Sequence, residues 1–444
     1  QGGTFHNDAV LRAFEQELGR NVTRPTIAGI MGAFGAALAA RDLGLDKSAL
    51  LDAAALESFT HAAKPVTCNL CTNHCSLTVN SFDGGRRFIS GNRCSRPLGK
   101  EKADLPDLYR YKYETLRSME GKGFGDGSRG RIGLPFGLNM YENLPFWFEL
   151  FTQLNFEVVL SPESSRKLYI KGQRTIPSDT VCYPAKLLHG HVEALVELGV
   201  DAIFYPCMSY NFDEKASDNN YNCPVVAYYP ELLAANMPDL KKSRFLNPYA
   251  GLHRPKDYER IGSQWFADTF GIPRKEAANA IRAAYQAYDR YKEDLRRTGQ
   301  QYIDQARRNG LPIIVLAGRP YHIDPEINHG INELITSFGF VLVSEDAVAY
   351  HEGYAPRKVL NQWTFQARMY NAARYVCQQP DMDLVQLVSF GCGTDAITGD
   401  EVRSILEEGG KLYTQLKIDD ISNLGAVKIR VRSLMAAMEE RARR

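Results

Sequence analysis

From residue 131 onward, short apolar runs alternate with longer segments in which apolar residues recur at helical spacing. This alternation is typical of a parallel sheet covered by helices on both faces. The predicted strands are Ile132–Phe136, Phe156–Leu160, Ala202–Tyr205, Val225–Tyr228, Leu311–Ala317, Phe340–Val343 and Leu384–Ser389. A helical stretch, Lys256–Arg308, broken at Gly271-Ile272-Pro273, separates two groups of these strands. The pattern therefore predicts an α/β fold with two parallel-sheet lobes and a helical connector.

The part of the chain before residue 131 has a different pattern. Asn7–Leu18 and Pro25–Ala40 carry apolar residues at helical spacing, and a cysteine-rich stretch and a polar, glycine-rich linker follow them. We therefore expect five segments along the chain. They are a small helical segment (1–60), a cysteine-rich metal module with its linker (61–128), the first lobe (129–250), the connector (251–309), and the second lobe with a C-terminal helix (310–444).

Composition excludes several classes of function. The formal net charge is +1, so the chain lacks the excess of basic residues with which nucleic-acid-binding proteins contact phosphates. We therefore expect no nucleic-acid partner. The longest apolar run, Ile27–Ala40, is short for a bilayer span, so we expect no membrane insertion. Nine cysteines in a chain of 444 residues favour reduced thiols in the cytoplasm over a disulfide framework. Because the chain opens at Gln1 without a methionine or a signal peptide, we expect a piece of a longer polypeptide.

The cysteine-rich module has the spacing of a metal site. Cys68, Cys71 and Cys75 lie within eight residues, and Cys94 follows after a long gap. Three close thiolates and a distant fourth suit either a tetrahedral zinc ion or an iron–sulfur cluster. The residues between them alternate as in a β-hairpin, with a turn at 83–85. Spacing alone leaves zinc and iron–sulfur equally open.

Four further cysteines occupy junctions flanked by proline or glycine. Cys182 precedes Tyr183-Pro184 and a predicted helix, Ala185–Leu198, so it lies at a helix N-terminus, where a thiolate is favoured. Cys207 ends a predicted strand, Cys223 precedes Pro224 at the start of another, and Cys392 follows a strand between two glycines.

Ligands in open α/β sheets collect at the carboxyl ends of the strands. We therefore expect Cys182, Cys207 and Cys392 to hold an iron–sulfur cluster in the cleft between the lobes. Three thiolates would leave one iron open for chemistry, and Cys223 as a fourth ligand would close the cluster for electron transfer. The alternative is that these cysteines are small buried hydrophobic residues.

Two polar residues follow the strand Leu311–Ala317 and are candidates for catalysis. Arg319 is expected to bind an anionic group of a substrate, and His322 to transfer a proton. The alternative interpretation is a structural turn in which Arg319 pairs with Asp324.

These motifs together resemble the large activase-related proteins of the 2-hydroxyacyl-CoA dehydratase system. The resemblance extends over most of residues 65–435 and includes the cysteine-rich module. It is carried by Cys182-Tyr183-Pro184-Ala185-Lys186, Leu188-His189-Gly190-His191, Phe204-Tyr205-Pro206-Cys207, Asn222-Cys223-Pro224, Gly318-Arg319-Pro320-Tyr321-His322 and Ser389-Phe390-Gly391-Cys392-Gly393-Thr394-Asp395. The segments Gly2-Gly3, Asn7 and Gly32-Ala33-Phe34-Gly35-Ala36-Ala37 resemble the end of the activase's ATPase domain.

The resemblance implies more than the residues alone. Dehydratase subunits hold a [4Fe–4S] cluster with three cysteines between Rossmann-like (flavodoxin-like) lobes, and some relatives carry a double-cubane cluster. An ATP-driven activase, as a domain or a subunit, supplies electrons of very low potential, and acyl-CoA is the substrate class of that neighbouring family. The ATPase phosphate loops and the activase's own cluster cysteines are missing from this sequence, so no ATPase activity is expected of this chain alone.

The sequence allows three interpretations of function. The first is an oxygen-sensitive reductase or dehydratase-like component that accepts electrons from the activase and acts on acyl-CoA or another small molecule. The second is a non-catalytic electron-relay or coupling module within a larger polypeptide. The third is a zinc-stabilised scaffold without redox chemistry.

Overall fold

The computed structural model describes residues 3–44, 51–69, 75–92, 96–98, 105–121, 125–389, 391–419 and 424–443. The chain divides into two compact units, one made of residues 1–64 and 80–88 and the other of residues 65–79 and 89–444. No helix in these described ranges is both long and apolar enough to cross a membrane.

The first part of the chain forms short helices. They are α1 (Asp8–Leu18), α2 (Met31–Asp42) and α3 (Ala53–Glu57). Asn7 caps α1 by accepting a hydrogen bond from the Ala9 N–H at 2.9 Å, and Gly19 ends the helix in the left-handed conformation. The prediction for α1 is therefore confirmed, whereas α2 begins later than predicted because a short 3₁₀ turn, Ala28–Ile30, precedes it.

A three-stranded sheet contains the predicted hairpin. Its strands are β1 (His61–Thr67), β2 (Ser76–Phe82) and β3 (Arg87–Ser90), in the order β1-β2-β3. Gly84 and Gly85 make the turn between β2 and β3 with φ angles of 71° and 74°, which side chains rarely allow. The hairpin was predicted, and β1 was not.

The first lobe is a parallel sheet of four short strands in the order β5-β4-β6-β7. Its strands are β4 (Arg131–Leu134), β5 (Glu157–Leu160), β6 (Ala202–Phe204) and β7 (Arg244–Leu246). Its helices are α5 (Met140–Gln153), α6 (Arg166–Gly172), α7 (Tyr183–Glu197) and α8 (Pro224–Asn236), and α4 (Leu108–Arg117) precedes them in the chain.

One predicted strand of this lobe is wrong. Val225–Tyr228 belongs to α8, which begins at Pro224 with Cys223 as its N-cap residue. Proline is favoured in the first turn of a helix, where its missing N–H costs nothing. The true fourth strand is β7, further along the chain.

Two helices form the connector between the lobes. They are α9 (Pro255–Phe270) and α10 (Arg274–Arg308), and α10 packs against α5 of the first lobe. The break falls at Gly271, which has a φ of 69°, and at Pro273 before α10. The predicted interruption of the helical stretch is therefore confirmed.

The second lobe repeats the strand arrangement of the first. Its sheet has the order β11-β10-β8-β9, all parallel, with β8 (Ile313–Ala317), β9 (Val341–Ser344), β10 (Met382–Ser389) and β11 (Thr414–Ile418). Its helices are α11 (Pro325–Asn328), α12 (Ile331–Thr336), α13 (Thr364–Cys377), α14 (Gly393–Glu408) and α15 (Leu424–Arg443). His329 and Gly330 both have positive φ, so the helix predicted over Glu326–Phe338 is interrupted between α11 and α12.

The two sheets place their binding edges in the same way. In each sheet the first strand lies between the second and the third, so the connections diverge between β4 and β6 and between β8 and β10. Ligands of such sheets bind where the connections diverge, outside the carboxyl ends of the strands. The α/β fold with two parallel sheets is confirmed. A ligand is therefore expected near the residues that follow β4, β6, β8 and β10.

Candidate functional site

Three cysteines occupy the same structural position in three helices. Cys182, Cys223 and Cys392 are the N-cap residues of α7, α8 and α14, each with an extended backbone. The unpaired N–H groups and the dipole at a helix N-terminus favour a negative charge there. Two of these helices belong to the first lobe and one to the second, and we call the three residues the thiol cluster.

The members of the thiol cluster lie within electrostatic range of each other. Burial raises the pKa of Cys182 to about 12, and the negative charges of Cys223 and Cys392 contribute to the rise while Arg319 opposes it. Burial also raises the pKa of Cys223, with Cys392 adding to the rise and Arg319 opposing it. The structure therefore brings three thiols from two lobes and one guanidinium into one neighbourhood.

Arg319 connects the end of β8 to the thiol of the second lobe. Its Nη2 atom donates to Cys392 Sγ at 3.4 Å and to Thr394 Oγ1 at 3.0 Å, and its side chain is 3% exposed. The two terminal nitrogens of the guanidinium, Nη1 and Nη2, also donate to the carboxylate of Asp395, which in turn accepts the backbone N–H of Ser389 at 2.8 Å. Arg319 is thus held by Asp395 and faces the sulfur.

Asp324, the alternative partner expected for Arg319, is engaged elsewhere. Its Oδ2 accepts hydrogen bonds from the hydroxyls of Tyr141 and Ser164, and its Oδ1 accepts the N–H of Glu326 at 2.8 Å as a cap of α11. The pairing of Arg319 with Asp324 is therefore wrong, because Asp395 on the next strand connection takes that position.

The sulfur atoms accept hydrogen bonds from groups around the helix N-termini. Cys223 Sγ accepts the backbone N–H of Val226 at 3.4 Å. Cys392 Sγ lies 3.2 Å from the Thr394 hydroxyl, and Gly391, with a φ of 72°, makes the turn that leads into Cys392. Donors directed at sulfur stabilise a thiolate relative to a thiol. Phe390, a residue of the predicted motif, lies outside the described residues.

Tyr205 presents a buried hydroxyl in the same neighbourhood. The residue is 2% exposed, and within the described part of the chain its hydroxyl has no hydrogen-bond partner. Burial raises its pKa, and the negative charges of Cys207, Cys223 and Cys182 contribute to the rise. A buried donor without an acceptor is costly, so this hydroxyl marks a position where an acceptor is expected.

Cys207 differs from the other three cysteines. It follows β6 and is 1% exposed, and its backbone forms hydrogen bonds with the backbone of Pro248 and Ala250. Burial raises its pKa to about 11, and the charge of Glu231 adds to the rise. The structure therefore places Cys207 beside Glu231, whereas Cys223 accompanies Cys182 and Cys392. Its role as a cluster ligand stays a prediction.

His322 is fully buried beneath the Arg319 turn. Its Nδ1 accepts the N–H of Arg319 at 3.0 Å, so the proton of the neutral ring lies on Nε2, which has no partner among the described residues. Burial and the charge of Arg319 lower its pKa well below the usual value. A Cβ at Gly318 would lie 2.4 Å from Nδ1, so glycine is required there. The expected role of His322 in proton transfer stays a prediction.

Both histidines of the Leu188–His191 motif are structural in the described geometry. His189 bonds to Thr175 at 2.8 Å and to Tyr229 at 3.0 Å. His191 bonds to Ser161 at 2.8 Å and to Ser164 at 3.0 Å. Burial lowers the pKa of His189 to about 4 and of His191 to about 3, so both rings are neutral.

The cysteine-rich module is described in part. The Cys68 N–H donates to the Cys75 carbonyl at 2.8 Å, and both residues are buried with Leu77. The other two predicted ligands, Cys71 and Cys94, lie outside the described residues. Across the described part of the chain, no three His, Cys, Asp or Glu side chains are close enough to hold a metal ion. The metal ribbon therefore stays a prediction.

Comparison with known proteins gives a family for the central part of the chain. Residues 131–348 match the family described as "CoA enzyme activase uncharacterised domain (DUF2229)", so this part is similar to a CoA enzyme activase-related domain. The search of curated proteins found no match. Among solved structures, a periplasmic binding protein from Veillonella parvula aligns with 84% of this chain and 91% of its own, at 10% identity and a TM-score of 0.17. A TM-score that low carries no argument about fold or ligand.

Proposed function

We propose that this chain is an iron–sulfur component of a 2-hydroxyacyl-CoA dehydratase/activase type of system. In this proposal Cys182, Cys223 and Cys392 bind a [4Fe–4S] cluster between the lobes. The observation that carries the proposal is the convergence of three N-cap cysteines, from both lobes, around the buried guanidinium of Arg319. The match of residues 131–348 to an activase-related family supports it independently.

The residues of the thiol cluster fit an anionic cluster better than a single ion. A cluster distributes its thiolates over several irons, so it needs a wider set of sulfurs than one ion does. The helix N-termini and the guanidinium of Arg319 favour negative charge beside the thiols.

Cys223 replaces Cys207 in this proposal. The charge of Cys223 contributes to the raised pKa of Cys182, which supports a shared site, whereas the pKa of Cys207 responds to burial and to Glu231. Cys223 also caps a helix, as Cys182 and Cys392 do. Cys207 is nearly inaccessible and packs against the backbone of 248–250.

A bound cluster would supply electron transfer at low potential, and three protein thiolates would leave one iron open to a substrate oxygen. The residues of this chain would orient and stabilise it. Arg319 donates to the Cys392 sulfur, and Asp395 keeps the guanidinium in place. We further propose that the electrons come from an ATP-driven activase domain or subunit and that acyl-CoA is the substrate class. The cysteine-rich module would hold a second iron–sulfur cluster or zinc.

Electron paramagnetic resonance (EPR) of the reduced, anaerobically purified chain tests the proposed function. We expect a cluster signal that changes when a 2-hydroxyacyl-CoA is added, as an open iron would require. A cluster signal that is the same with and without acyl-CoA would instead support an electron-relay module. Protein that contains zinc but no iron would overturn the proposal and support the scaffold interpretation.

A further inference from the structure

A cavity of about 500 Å³ lies between the two lobes and helix α10. Its walls come from α5, the segment 212–216, residues 288–296 of α10, the segment 346–352 and α13, and Lys112 of α4 also lines it. This volume is typical of sites for small organic ligands. Cys182, Cys223 and Cys392 are not among the residues that line the cavity, so its chemistry is separate from that of the thiol cluster.

The floor of the cavity is a buried network of charges that already satisfy one another. Arg368 lies between two carboxylates, with Nη2 donating to Glu142 and to Glu214 Oε1, and Lys112 pairs with Asp346. All five carboxylates of the lining have a cationic partner in the protein. The pairs are Glu142 and Glu214 with Arg368, Asp346 with Lys112, Asp213 with Lys215, and Glu352 with Arg374. Each of these carboxylates therefore has a partner within the protein, and Glu142 and Glu214 share the single guanidinium of Arg368.

Two cations of the lining, Lys292 and Arg296, form no ion pair with these carboxylates among the described residues. Lys292 and Arg296 are one turn apart on α10, and both line the cavity. Arg296 is exposed, and within the described ranges no carboxylate lies at ion-pair distance from it; its guanidinium lies 4.8 Å from the centre of the Tyr350 ring. Lys292 pairs with Asp289, a residue outside the lining, and its Nζ lies 4.5 Å from the Tyr288 ring. These two cations favour an anionic ligand group.

Tyr291 adds a hydrogen-bond donor inside the cavity. The residue is 8% exposed, lines the cavity, and its hydroxyl has no partner among the described residues. The neighbouring hydroxyl of Tyr288 differs because it donates to Glu142 Oε1 at 3.0 Å. A buried hydroxyl without an acceptor is unfavourable unless a ligand or water accepts its proton. Tyr291 therefore indicates an acceptor oxygen on the ligand.

We infer that this cavity is a second binding site, for a small organic acid. The carboxylate of the acid pairs with Arg296 and Lys292 at the mouth, and its body packs against the rings of Tyr288, Tyr350 and Phe212. An oxygen at the other end of the acid accepts the hydrogen bond of Tyr291. The inference does not depend on the proposed iron–sulfur function.

Isothermal titration calorimetry of the full chain tests this inference with benzoate, 4-hydroxybenzoate and hexanoate as probes. At least one acid is expected to bind saturably, and 4-hydroxybenzyl alcohol, which has no carboxylate, at least about tenfold more weakly than 4-hydroxybenzoate. R296Q should weaken binding of the acids about tenfold, because it removes the unpaired cation at the mouth. Y291F should weaken 4-hydroxybenzoate more than it weakens benzoate.

R290Q is the matched control, because Arg290 is exposed on the same helix and does not line the cavity. It should leave the affinities unchanged. Arg296 is exposed and Tyr291→Phe is isosteric, so both variants are expected to fold, which thermal unfolding checks. Three results would overturn the inference: no saturable binding of any acid, equal binding of the neutral alcohol, or equal losses in R290Q and R296Q.

Discussion

Nη2 of Arg319 lies 3.4 Å from Sγ of Cys392, so a residue after β8 donates to the thiol that follows β10. The two strands are neighbours in the sheet of the second lobe, and its connections diverge between them. The contact joins Arg319 to Cys392, the residue of the thiol cluster that lies in the second lobe. In the proposed function, this hydrogen bond stabilises the Cys392 thiolate that binds the iron–sulfur cluster from the second lobe.

Serine substitutions distinguish the thiol cluster from Cys207. C182S, C223S and C392S should each lose the inter-lobe cluster, because a hydroxyl is a poor ligand for iron–sulfur clusters. C207S should keep it. Iron and acid-labile sulfide contents of the four variants, purified anaerobically in parallel, check this prediction. Loss of the cluster in C207S with retention in C223S would restore the assignment expected from the sequence.

Removing Arg319 should destabilise the fold itself. R319M leaves the carboxylate of Asp395 buried without its cation, which costs about 3–5 kcal/mol in the free energy of unfolding. Urea unfolding of the metal-free protein measures the cost without any contribution from a cluster. The control is R297M, because Arg297 is exposed and its pair with Asp294 is worth less than about 1 kcal/mol. Equal effects of the two substitutions would show that the Arg319–Asp395 pair is unimportant for stability.

Gly190 should not tolerate a side chain. A Cβ there would lie 2.0 Å from the carbonyl oxygen of Leu168, because α6 and α7 approach closely at this point. G190A should therefore lower the free energy of unfolding by at least about 1–3 kcal/mol. It should also impair cluster binding, because Cys182 is the N-cap residue of α7.

Gly35 provides the control for this substitution. A Cβ at Gly35, within α2, would meet no heavy atom within 4 Å, so G35A should be neutral or stabilising. Thermal unfolding of both variants makes the comparison. A G190A protein as stable as the wild type would show that α6 and α7 are further apart than described.

Glu345 should make stability depend on pH. Burial, with help from the charge of Asp346, raises its pKa from 4.5 to about 7, against the opposing charges of Lys112 and Arg368. Between pH 4.5 and about pH 7, the Glu345 carboxyl is protonated in the folded state and ionised in the unfolded state. The free energy of unfolding should therefore fall as pH rises from about 4.5 to about 7, by at most about 1.4 kcal/mol per pH unit.

The comparison of E345Q with the wild type isolates this effect from that of the buried histidines. Because glutamine does not titrate, the stability of E345Q relative to the wild type should rise across the same window and level off above pH 7. Urea unfolding at a series of pH values measures it. E293Q, at an exposed position of α10, serves as the control. A difference between E345Q and the wild type that is constant with pH would contradict the raised pKa.

The sequence was most informative where strands are buried on both faces. Every residue of β8 and β10 is buried, and both strands were predicted as apolar runs. Two of the strands that were not predicted, β7 and β11, lie at the edges of their sheets and contain polar residues, so they have no apolar run to recognise. Val225–Tyr228 was mistaken for a strand because four apolar residues are too few to show a helical period.

The sequence predicted only those features of the site that neighbouring residues in the chain determine. Proline after Cys182 and Cys223 and glycine beside Cys392 marked these cysteines as junctions between elements. The preference for Cys223 over Cys207 depends on how the first lobe packs against the second, which no local pattern shows. The Arg319–Asp395 pair joins residues 76 positions apart, and the sequence offered the nearer Asp324 as an equally good partner.

The iron and acid-labile sulfide content of anaerobically purified C392S, relative to that of the wild type, is the most direct test of the central claim. If Cys182, Cys223 and Cys392 hold a cluster together, C392S loses the iron and sulfide of one [4Fe–4S] cluster and keeps any metal bound near Cys68. A C392S protein with the same iron and sulfide content as the wild type would contradict it.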